Sequence, residues 1–498
     1  MRRDHPHSAL RRVMSGRVRA RRASGILAIF CVIHSLSGCS LESEKPDLAL
    51  DTPGKYRAPH GPSDAAVPKL DWWRGFHSRE LVALIEDTQA HNFDIAVAVA
   101  QIRQADAQVM IDGAPLFPAI NLLGSGSVSQ SSSTGGGKGG GGGGGTSHLY
   151  SSSLSASYVL DFWGKNQSLL AADEENAAAS RYNREVVTLT AITTVAATYF
   201  NILGAQDRLR ILRRDVEDST HILDLIMQQF SAGTVSQVNV AQQQALVATL
   251  RASIPPVEQG LEQNMAALSV LVGRAPERFK ARGGSMMQVT IPRVTPGLPS
   301  ELLNQRPDLR QAEAFLSAAN YNVHAARAAF FPNIQLTAET GFQSAALRTL
   351  FGPGAWFYTA AASLTQPVFD GFLLEGQLQK QLSLREQLLQ TYRRDVLSAF
   401  SDVERALIAL EQTSLEEKYL REAVLASQMA FYLSEQQLRE GTVNLVTLLQ
   451  TEQTLFQNED ALVLVQLARL LAGVSLFQAL GGGWSPPDKV ASAAPTAH

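Results

Sequence analysis

The stretch FFPNIQLTAETG, Phe330 to Gly341, changes the period of the sequence within a few residues. The residues before it carry long side chains and alanines, and they predict a helix. After Pro332, apolar and polar residues alternate, as in a two-faced strand. The apolar series is Ile334, Leu336, Ala338 and Phe342, and the polar series is Asn333, Gln335, Thr337 and Glu339. An earlier stretch, LFPAINLLGSGS (Leu116 to Ser127), makes the same change from helix to strand.

The two changes of period belong to an internal repeat that covers most of the chain. The segment that begins at Asn92 aligns without a gap with the segment that begins at Arg306, since Asp94 corresponds to Asp308 and Pro118 to Pro332. Residues 155–167 resemble residues 362–377, and residues 230–244 resemble residues 438–453. Each half therefore predicts a helix, a strand, a loop, a strand, a long helix, a Gly-Thr-Val turn and a second helix.

The predicted strands are about 119–131, 149–161, 333–344 and 356–367, and each alternates in the same manner. Segments of about ten residues with one apolar face and one face of Ser, Thr, Asn and Gln are typical of membrane barrel strands around a wet lumen. A soluble antiparallel sheet with one solvated face has the same alternation. The pattern alone leaves both interpretations open.

No proline interrupts the sequence from Gly164 to Gly233 or from Gly371 to Gly441. A helix of that length is about 100 Å long, several times longer than in ordinary globular proteins. The apolar residues of the second helix recur at steps of four and three, which packs helices side by side in a left-handed supercoil. They are Val396, Phe400, Val403, Leu407 and Leu410. The alternative is a cytoplasmic coiled coil.

The N-terminal residues predict export. Eight arginines precede an apolar run from Ile26 to Ile33, and Leu36-Ser37-Gly38-Cys39 follows. This order describes a secretory signal over residues 1–38, too short to persist as a membrane helix. The motif at residues 36–39 also resembles a bacterial lipobox, in which Cys39 becomes the first residue after cleavage and carries N-acyl and S-diacylglycerol lipid. The alternative is an ordinary signal peptide with an incidental cysteine. Ser40, rather than an aspartate, favours delivery to the outer membrane.

Composition and motifs argue against several classes of protein. Removal of residues 1–38 leaves 35 basic and 45 acidic residues, and such an acidic chain is a poor candidate for binding nucleic acid. The glycine tract from Ser131 to His148 fails the phosphate-loop pattern because Gly139 follows Lys138. The sequence has no HExxH, GxSxG or CxxC pattern, and its ten histidines show no ligand spacing. We expect no enzyme activity, no bound cofactor and no metal site.

Four strands per chain cannot close a barrel. An open sheet edge in lipid leaves backbone groups without partners at a cost of several kcal/mol each, and bacterial barrels of this kind have about eight strands or more. If these strands lie in a membrane, several copies of the chain have to pool them.

In this context the sequence resembles the TolC/OprM outer-membrane efflux family, in particular its NodT-type lipoprotein branch that works with RND pumps. The resemblance rests on DWWRGF (71–76), YVLDFWGK (158–165), RPDLRQAE (306–313), FFPNI (330–334), QPVFDG (366–371) and both Gly-Thr-Val turns. It implies a mostly α fold with a membrane β-barrel portion, in which a homotrimer forms a 12-stranded barrel continuous with a periplasmic α-helical barrel. The implied parts are a signal peptide (1–38), a lipidated linker (39–78), two repeats (79–290 and 291–483) and a flexible tail (484–498).

The resemblance also implies two kinds of functional site. The turns Gly233, Thr234, Val235 and Gly441, Thr442, Val443 correspond to the tips that dock a periplasmic adaptor, the membrane fusion protein of an inner-membrane RND pump. The pore constriction corresponds to Val446, Thr447 and Gln450. Relatives carry aspartates there, so this chain departs from the acidic pattern, and an apolar and polar-neutral constriction is expected. The alternative for Val446 is simple packing between helices.

The function that follows is a passive exit duct in the outer membrane for drugs or other small molecules, powered by the partner pump. Three alternatives remain: a type I secretion outlet or a metal-efflux outlet of the same fold, and a periplasmic adaptor lipoprotein with a long hairpin. The whole-chain duplication and the four strands disfavour the adaptor.

Overall fold

The computed structural model describes residue 56, residues 69–130, 146–292 and 299–482, and residue 484. Residues 1–38, Cys39, the glycine loop at 131–145 and nearly all of the tail lie outside the described residues. The helices are α1 (Arg79–His91), α2 (Phe93–Gly113), α3 (Lys165–Ser231), α4 (Gln237–Leu271), α5 (Pro299–Gln305), α6 (Pro307–Ala328), α7 (Leu373–Arg439) and α8 (Leu445–Ala479). The strands are β1 (Ala119–Gln130), β2 (Thr146–Leu160), β3 (Asn333–Ser344) and β4 (Trp356–Thr365).

The described chain is mostly helical with one small sheet, and its two halves match. The order α2-β1-β2-α3-α4 returns as α6-β3-β4-α7-α8. The long helices α3 and α7 have 67 residues each, and the helices that follow them, α4 and α8, have 35 residues each. This is the order of elements that the internal repeat predicts.

The chain divides into two compact units, of which the first contains the sheet. This sheet unit comprises residues 113–130, 146–170 and 319–384. Its four antiparallel strands lie in the order β1-β2-β3-β4. Because residues directly opposite each other share a face, the register decides which side chains lie together. One row runs Ile120, Ala156, Ala338, Ala360, and the adjacent row on the other face runs Asn121, Ser155, Glu339, Thr359.

The register therefore separates the side chains of the whole sheet into an apolar face and a polar face. The apolar face is exposed: Leu122 is 77% exposed, Leu364 65% and Trp356 60%. A soluble sheet would bury this face against a core, so the soluble interpretation does not describe the sheet unit. Among the described strands, β1 and β4 pair on one side only.

The junction between α6 and β3 explains the abrupt change of period at Phe330. The helix ends at Ala328, and the backbone N–H groups of Phe330 and Phe331 donate to the Arg327 and Ala328 carbonyls in a final tight turn. Pro332 provides no N–H and disfavours helical geometry at the residue before it, so the chain has to become extended there. The Trp163 ring stacks on Phe331 at 4.7 Å between centroids, and its Nε1 donates to the Pro332 carbonyl at 2.8 Å.

The second unit, called the helical unit, comprises the described residues of 48–112, 171–318 and 385–498. The DWWRGF segment forms a short 3-10 turn that places Trp72, Trp73 and Phe76 in its core. The Trp72 ring stacks on Phe477 of α8 at 4.6 Å, and Phe76 packs against Phe200 of α3 at 5.0 Å. Composition would allow α3 and α8 to cross a membrane, but about half of each apolar stretch is buried inside the structure.

The spacing along α7 predicted a packed seam, and the helical unit confirms it. Val396, Phe400, Val403 and Leu407 are each at most 9% exposed and share a cluster with Leu309 and Leu476. Arg306 secures the start of α6 there, since its guanidinium binds the Asp308 carboxylate at 2.7 and 3.1 Å. It also donates to Asp402 of α7 and to the Ala479 carbonyl at the end of α8.

Candidate functional site

The first Gly-Thr-Val turn follows directly after α3. Gly233 has a φ of 77°, a left-handed value that glycine adopts without a steric penalty. Its N–H donates to the Phe230 carbonyl at 2.9 Å, while the Thr234 N–H donates to the Gln229 carbonyl at 3.0 Å. These two bonds form a complete Schellman motif, and the Thr234 hydroxyl adds a third bond to the same Gln229 oxygen. Val235 is half-buried.

The second turn repeats this geometry after α7. Gly441 has a φ of 74°, and its N–H donates to the Leu438 carbonyl at 3.1 Å. The Thr442 N–H and hydroxyl both donate to the Gln437 carbonyl, at 2.9 and 3.1 Å. Val443 is half-buried. The Gly and Thr side of each tip is exposed, so each chain presents two preformed turns of the same shape.

A small apolar cluster, here called the tip cluster, holds the two hairpins together next to these turns. At its centre lie Ile222 and Ile226 of α3 and Leu445 and Leu448 of α8. Val235 of the first turn and Phe431, Leu438, Val240 and Leu449 pack around them. The sequence therefore brings both tips to one end of the helical unit and fixes α3 against α8 there.

The three constriction candidates occupy the first turns of α8. Val446 is 44% exposed, so its side chain is not part of the packing between Leu445 and Leu448 within the chain. The Thr447 hydroxyl and N–H both donate to Oδ1 of the N-cap residue Asn444, at 3.1 and 3.0 Å. Gln450 is exposed. Val446 and Gln450 are thus exposed and Thr447 is half-buried, and their role as the constriction stays a prediction.

Buried acids lie beyond the tip cluster, where the sequence analysis had not placed any functional group. Glu452 of α8 is 0% exposed, and within the described residues neither of its carboxyl oxygens has a hydrogen-bond partner. Burial raises the pKa of Glu452 to about 7; Ser219 and Gln243 lower it and Asp218 raises it further. Ser219 and Gln243 therefore offset the effect of burial on this pKa only in part.

A second buried acid lies opposite on α3. Asp215 is 1% exposed, and burial raises its pKa to about 7; Arg214 acts against this rise, and Glu459 and Asp218 contribute to it. The Arg214 guanidinium also binds the Glu459 carboxylate, whose other oxygen accepts from Gln428 of α7 at 3.1 Å. A signal for these acids exists in the sequence, since Leu445, Leu448, Glu452, Leu455 and Glu459 step by three and four along α8.

Within the described residues, no group of three or more His, Cys, Asp or Glu side chains lies close enough together to hold a metal ion. The described site combines two exposed turns, an apolar cluster and buried acids in one helical seam.

Comparison with known proteins identifies the family. The Outer membrane efflux protein family matches residues 84–274 and 298–482, one match for each half. The chain is 35% identical to the pyoverdine export outer membrane protein OpmQ of Pseudomonas aeruginosa, over 92% of this chain and 97% of that protein. It is 29% identical to the cation efflux system protein CusC of Escherichia coli O6:H1, over 91% and 98% of the two chains.

Solved structures give the same result. The open state of the Neisseria gonorrhoeae MtrE outer membrane channel superposes with a TM-score of 0.79 at 29% identity, covering 89% of this chain and 97% of that one. Members of this family are transport proteins rather than enzymes. Because the family matches both halves and one relative matches nearly end to end, this chain belongs to the outer membrane efflux protein family and is an outer-membrane efflux channel.

Proposed function

We propose that three copies of this chain form the exit duct of a tripartite RND-type efflux system, lipid-anchored at Cys39 and docked by its tips to a periplasmic adaptor. The observation that carries the proposal is the sheet itself, with an exposed apolar face, a polar face and two strands that pair on one side only. The shared barrel follows from what such a sheet needs in order to be stable, and the docking follows from the two hairpin tips.

The open edges of β1 and β4 support a shared barrel. In hydrocarbon each backbone N–H or C=O without a partner costs several kcal/mol, so the β4 edge of one copy has to pair with the β1 edge of the next. Three copies then provide twelve strands, an even number within the range of bacterial outer-membrane barrels. The apolar face turns to lipid and the face with Asn121, Ser155, Glu339 and Thr359 lines the bore.

The tips support docking to an adaptor. Both turns are exposed and locked by the same hydrogen bonds, so a partner that recognises one can recognise the other. Because the turns are preformed, binding does not have to order them. In a trimer the six turns form a ring, and the neutral groups of Val446, Thr447 and Gln450 lie just beyond it as the constriction.

The lipid anchor rests on the sequence alone, since Cys39 lies outside the described residues. An acyl chain adds membrane affinity to a protein that the barrel already holds in the outer membrane. We place the helical hairpins on the periplasmic side.

The proposed duct indicates only the general class of molecule that it transports. Relatives of 29–35% identity bear names that refer to pyoverdine export and to cation efflux, so one fold serves different cargoes. This supports a passive, water-filled path for drugs or other small molecules, with cargo choice made by the pump. The proposed constriction residues Val446, Thr447 and Gln450 carry no carboxylate, so this part of the path is apolar and polar-neutral.

Planar-bilayer recording with the detergent-extracted protein tests the proposal. We expect a species with the mass of three chains that inserts and gives stepwise conductance. A single-chain species that stays soluble after removal of the lipid, or bilayers without conductance, would contradict it.

A further inference from the structure

The packed seam between α3 and α8 contains acids at core positions. On α3, the buried residues Asp215, Ser219, Ile222 and Ile226 step by four, three and four. On α8, Glu452 and Glu459 occupy buried positions in a series with the same spacing, directly after the tip-cluster residues Leu445 and Leu448. Apolar side chains at such positions stabilise a helical seam, and ionised ones are very costly there unless they are paired.

The surroundings of Glu452 match a neutral acid better than a carboxylate. From α4, the amide of Gln243 gives its Nε2 donor to the Ser219 carbonyl at 2.9 Å and to the Ser219 hydroxyl oxygen at 2.8 Å. The Oε1 of Gln243 is left without a partner, as are both carboxyl oxygens of Glu452. Asp218 of α3 adds a negative charge nearby. A neutral Glu452 has one O–H to donate, and the buried Gln243 oxygen is an acceptor in need of a donor.

The next layer of the seam is already charged. Seven residues along α8, Glu459 binds Arg214 of α3 and accepts from Gln428 of α7, and Asp215 lies beside them. One arginine thus faces two acids, and Arg214 is itself about half exposed. An ionised Glu452 would join Asp215, Asp218 and Glu459 in one seam, where Arg214 is the cation that pairs with both Asp215 and Glu459.

We propose that Glu452 is a proton-operated latch: the neutral acid holds α8 against α3 and α4, and its ionisation, with the proton passing to water, favours separation of the two hairpins next to their tips. The latch rests on the proposed function, because separation matters only if the tips surround a bore. It couples directly to the constriction, since Val446, Thr447 and Gln450 lie on the same helix within two turns of Glu452. The raised pKa of Glu452, about 7, puts the change near neutral pH.

Spin labels at the two exposed tip positions Ala232 and Glu440, introduced as A232C and E440C, measure the separation of the tips. The distance distribution is recorded by pulsed electron paramagnetic resonance on the detergent-extracted protein between about pH 5.5 and about pH 8.5. In the wild type we expect longer distances to gain population as the pH rises, with a midpoint near 7. In Glu452→Gln, which imitates the neutral acid, the distribution stays in its low-pH form at all pH values.

Glu262→Gln is the matched control, since Glu262 lies on α4 and is exposed. It should keep the wild-type response. Tip distances that do not depend on pH in the wild type, or a Glu452→Gln protein that responds like the wild type, would overturn the latch. If Glu452→Gln does not assemble, Glu452→Met serves as a second uncharged replacement for the neutral acid.

An infrared titration gives a direct readout of the proton. The C=O stretch of protonated carboxyls should fade as the pH rises through 7, and Glu452→Gln should lose the part of this band that Glu452 contributes while the part due to Asp215 remains; identical bands in the wild type and in Glu452→Gln overturn the proposal. Conductance separates the two proposals. Channels that conduct while the tip distances ignore pH contradict the latch alone, whereas bilayers without conductance contradict the duct and leave the tip distances to decide the latch.

Discussion

The sheet unit and the helical unit depart from the rules for soluble proteins in opposite ways. The sheet unit exposes large apolar side chains such as Leu122 and Trp356, while the helical unit buries the carboxyl of Glu452 completely. In the proposed duct, lipid covers the exposed apolar side chains and further copies of the sheet pair with its open edges. The second departure has no remedy while the acid is ionised, because burial without a partner is costly. The sheet unit therefore needs a partner outside the chain, whereas the stability of the helical seam depends on the protonation of Glu452.

The largest effect is expected from placing a charge on the apolar face of the sheet. Leu154 and Ser155 are adjacent in β2 and lie on opposite faces. Leu154→Arg puts a guanidinium against lipid at a cost of about 2–4 kcal/mol in each chain, so trimer yield in outer-membrane extracts should fall sharply. Ser155→Arg, the matched control, lies on the polar face beside Glu339 and should assemble and shift the conductance toward anions. Equal yields for both variants would contradict the assignment of the faces.

The next effect compares the same truncation in the two units. Phe76 is 0% exposed in the core of the helical unit, and Phe369 is 83% exposed in the sheet unit. Phe76→Ala should lower the free energy of unfolding of the helical unit by about 3–5 kcal/mol, because it leaves a cavity beside Phe200 and Phe477. Phe369→Ala should leave it nearly unchanged. Denaturant titrations followed by helical circular dichroism measure the difference, and similar losses in both variants would disprove it.

The third effect concerns the pH dependence of stability. Since the folded-state pKa of Glu452, about 7, exceeds the ordinary value of 4.5, its neutral form stabilises the fold fully below about pH 4.5, and this stabilisation is lost as the pH rises through 7. The total is about 3 kcal/mol. Glu452→Gln should remove the Glu452 part of this slope and be more stable than the wild type at about pH 8, while the part due to Asp215, whose pKa is also raised to about 7, remains. Unfolding curves at several pH values test it; an unchanged slope would show that other groups control the titration.

The smallest effect comes from the tips. Gly233→Ala forces a side chain into left-handed geometry in open space, so the expected cost is about 1 kcal/mol of backbone strain without a clash. Gly260→Ala, in the interior of α4 where a Cβ also meets nothing, should instead stabilise by about 0.5–1 kcal/mol. Thermal unfolding distinguishes the two signs. Adaptor binding should weaken only in Gly233→Ala.

Much of the fold could be predicted because apolar residues recur along the sequence with the period of a strand or of a helix. Alternation over residues 333–344 indicates one face of a strand, and steps of three and four along α7 indicate one packed face of a helix. The internal repeat, in which Pro118 corresponds to Pro332, supports the prediction because the change from helix to strand occurs in both halves. The Gly-Thr-Val turns could be found for a similar reason, since a helix end that needs a positive φ selects glycine.

The buried acids were missed because their meaning depends on neighbours far away in the sequence. Glu452 has the spacing of a core residue but the chemistry of a surface residue, and its environment comes from Ser219 and Gln243, more than two hundred residues before it. The hydrogen bond from the Thr447 hydroxyl to the N-cap residue Asn444 was also not predicted from the sequence.

Local spacing and composition were enough to predict the duplicated order of elements, the two faces of each strand, the positions of the tips and the export signal. Three features became visible only in the folded chain: the apolar faces of four strands coincide, the two tips share one apolar cluster, and Glu452 has no hydrogen-bond partner among the described residues. These depend on register and on contacts between distant segments, which local patterns do not encode.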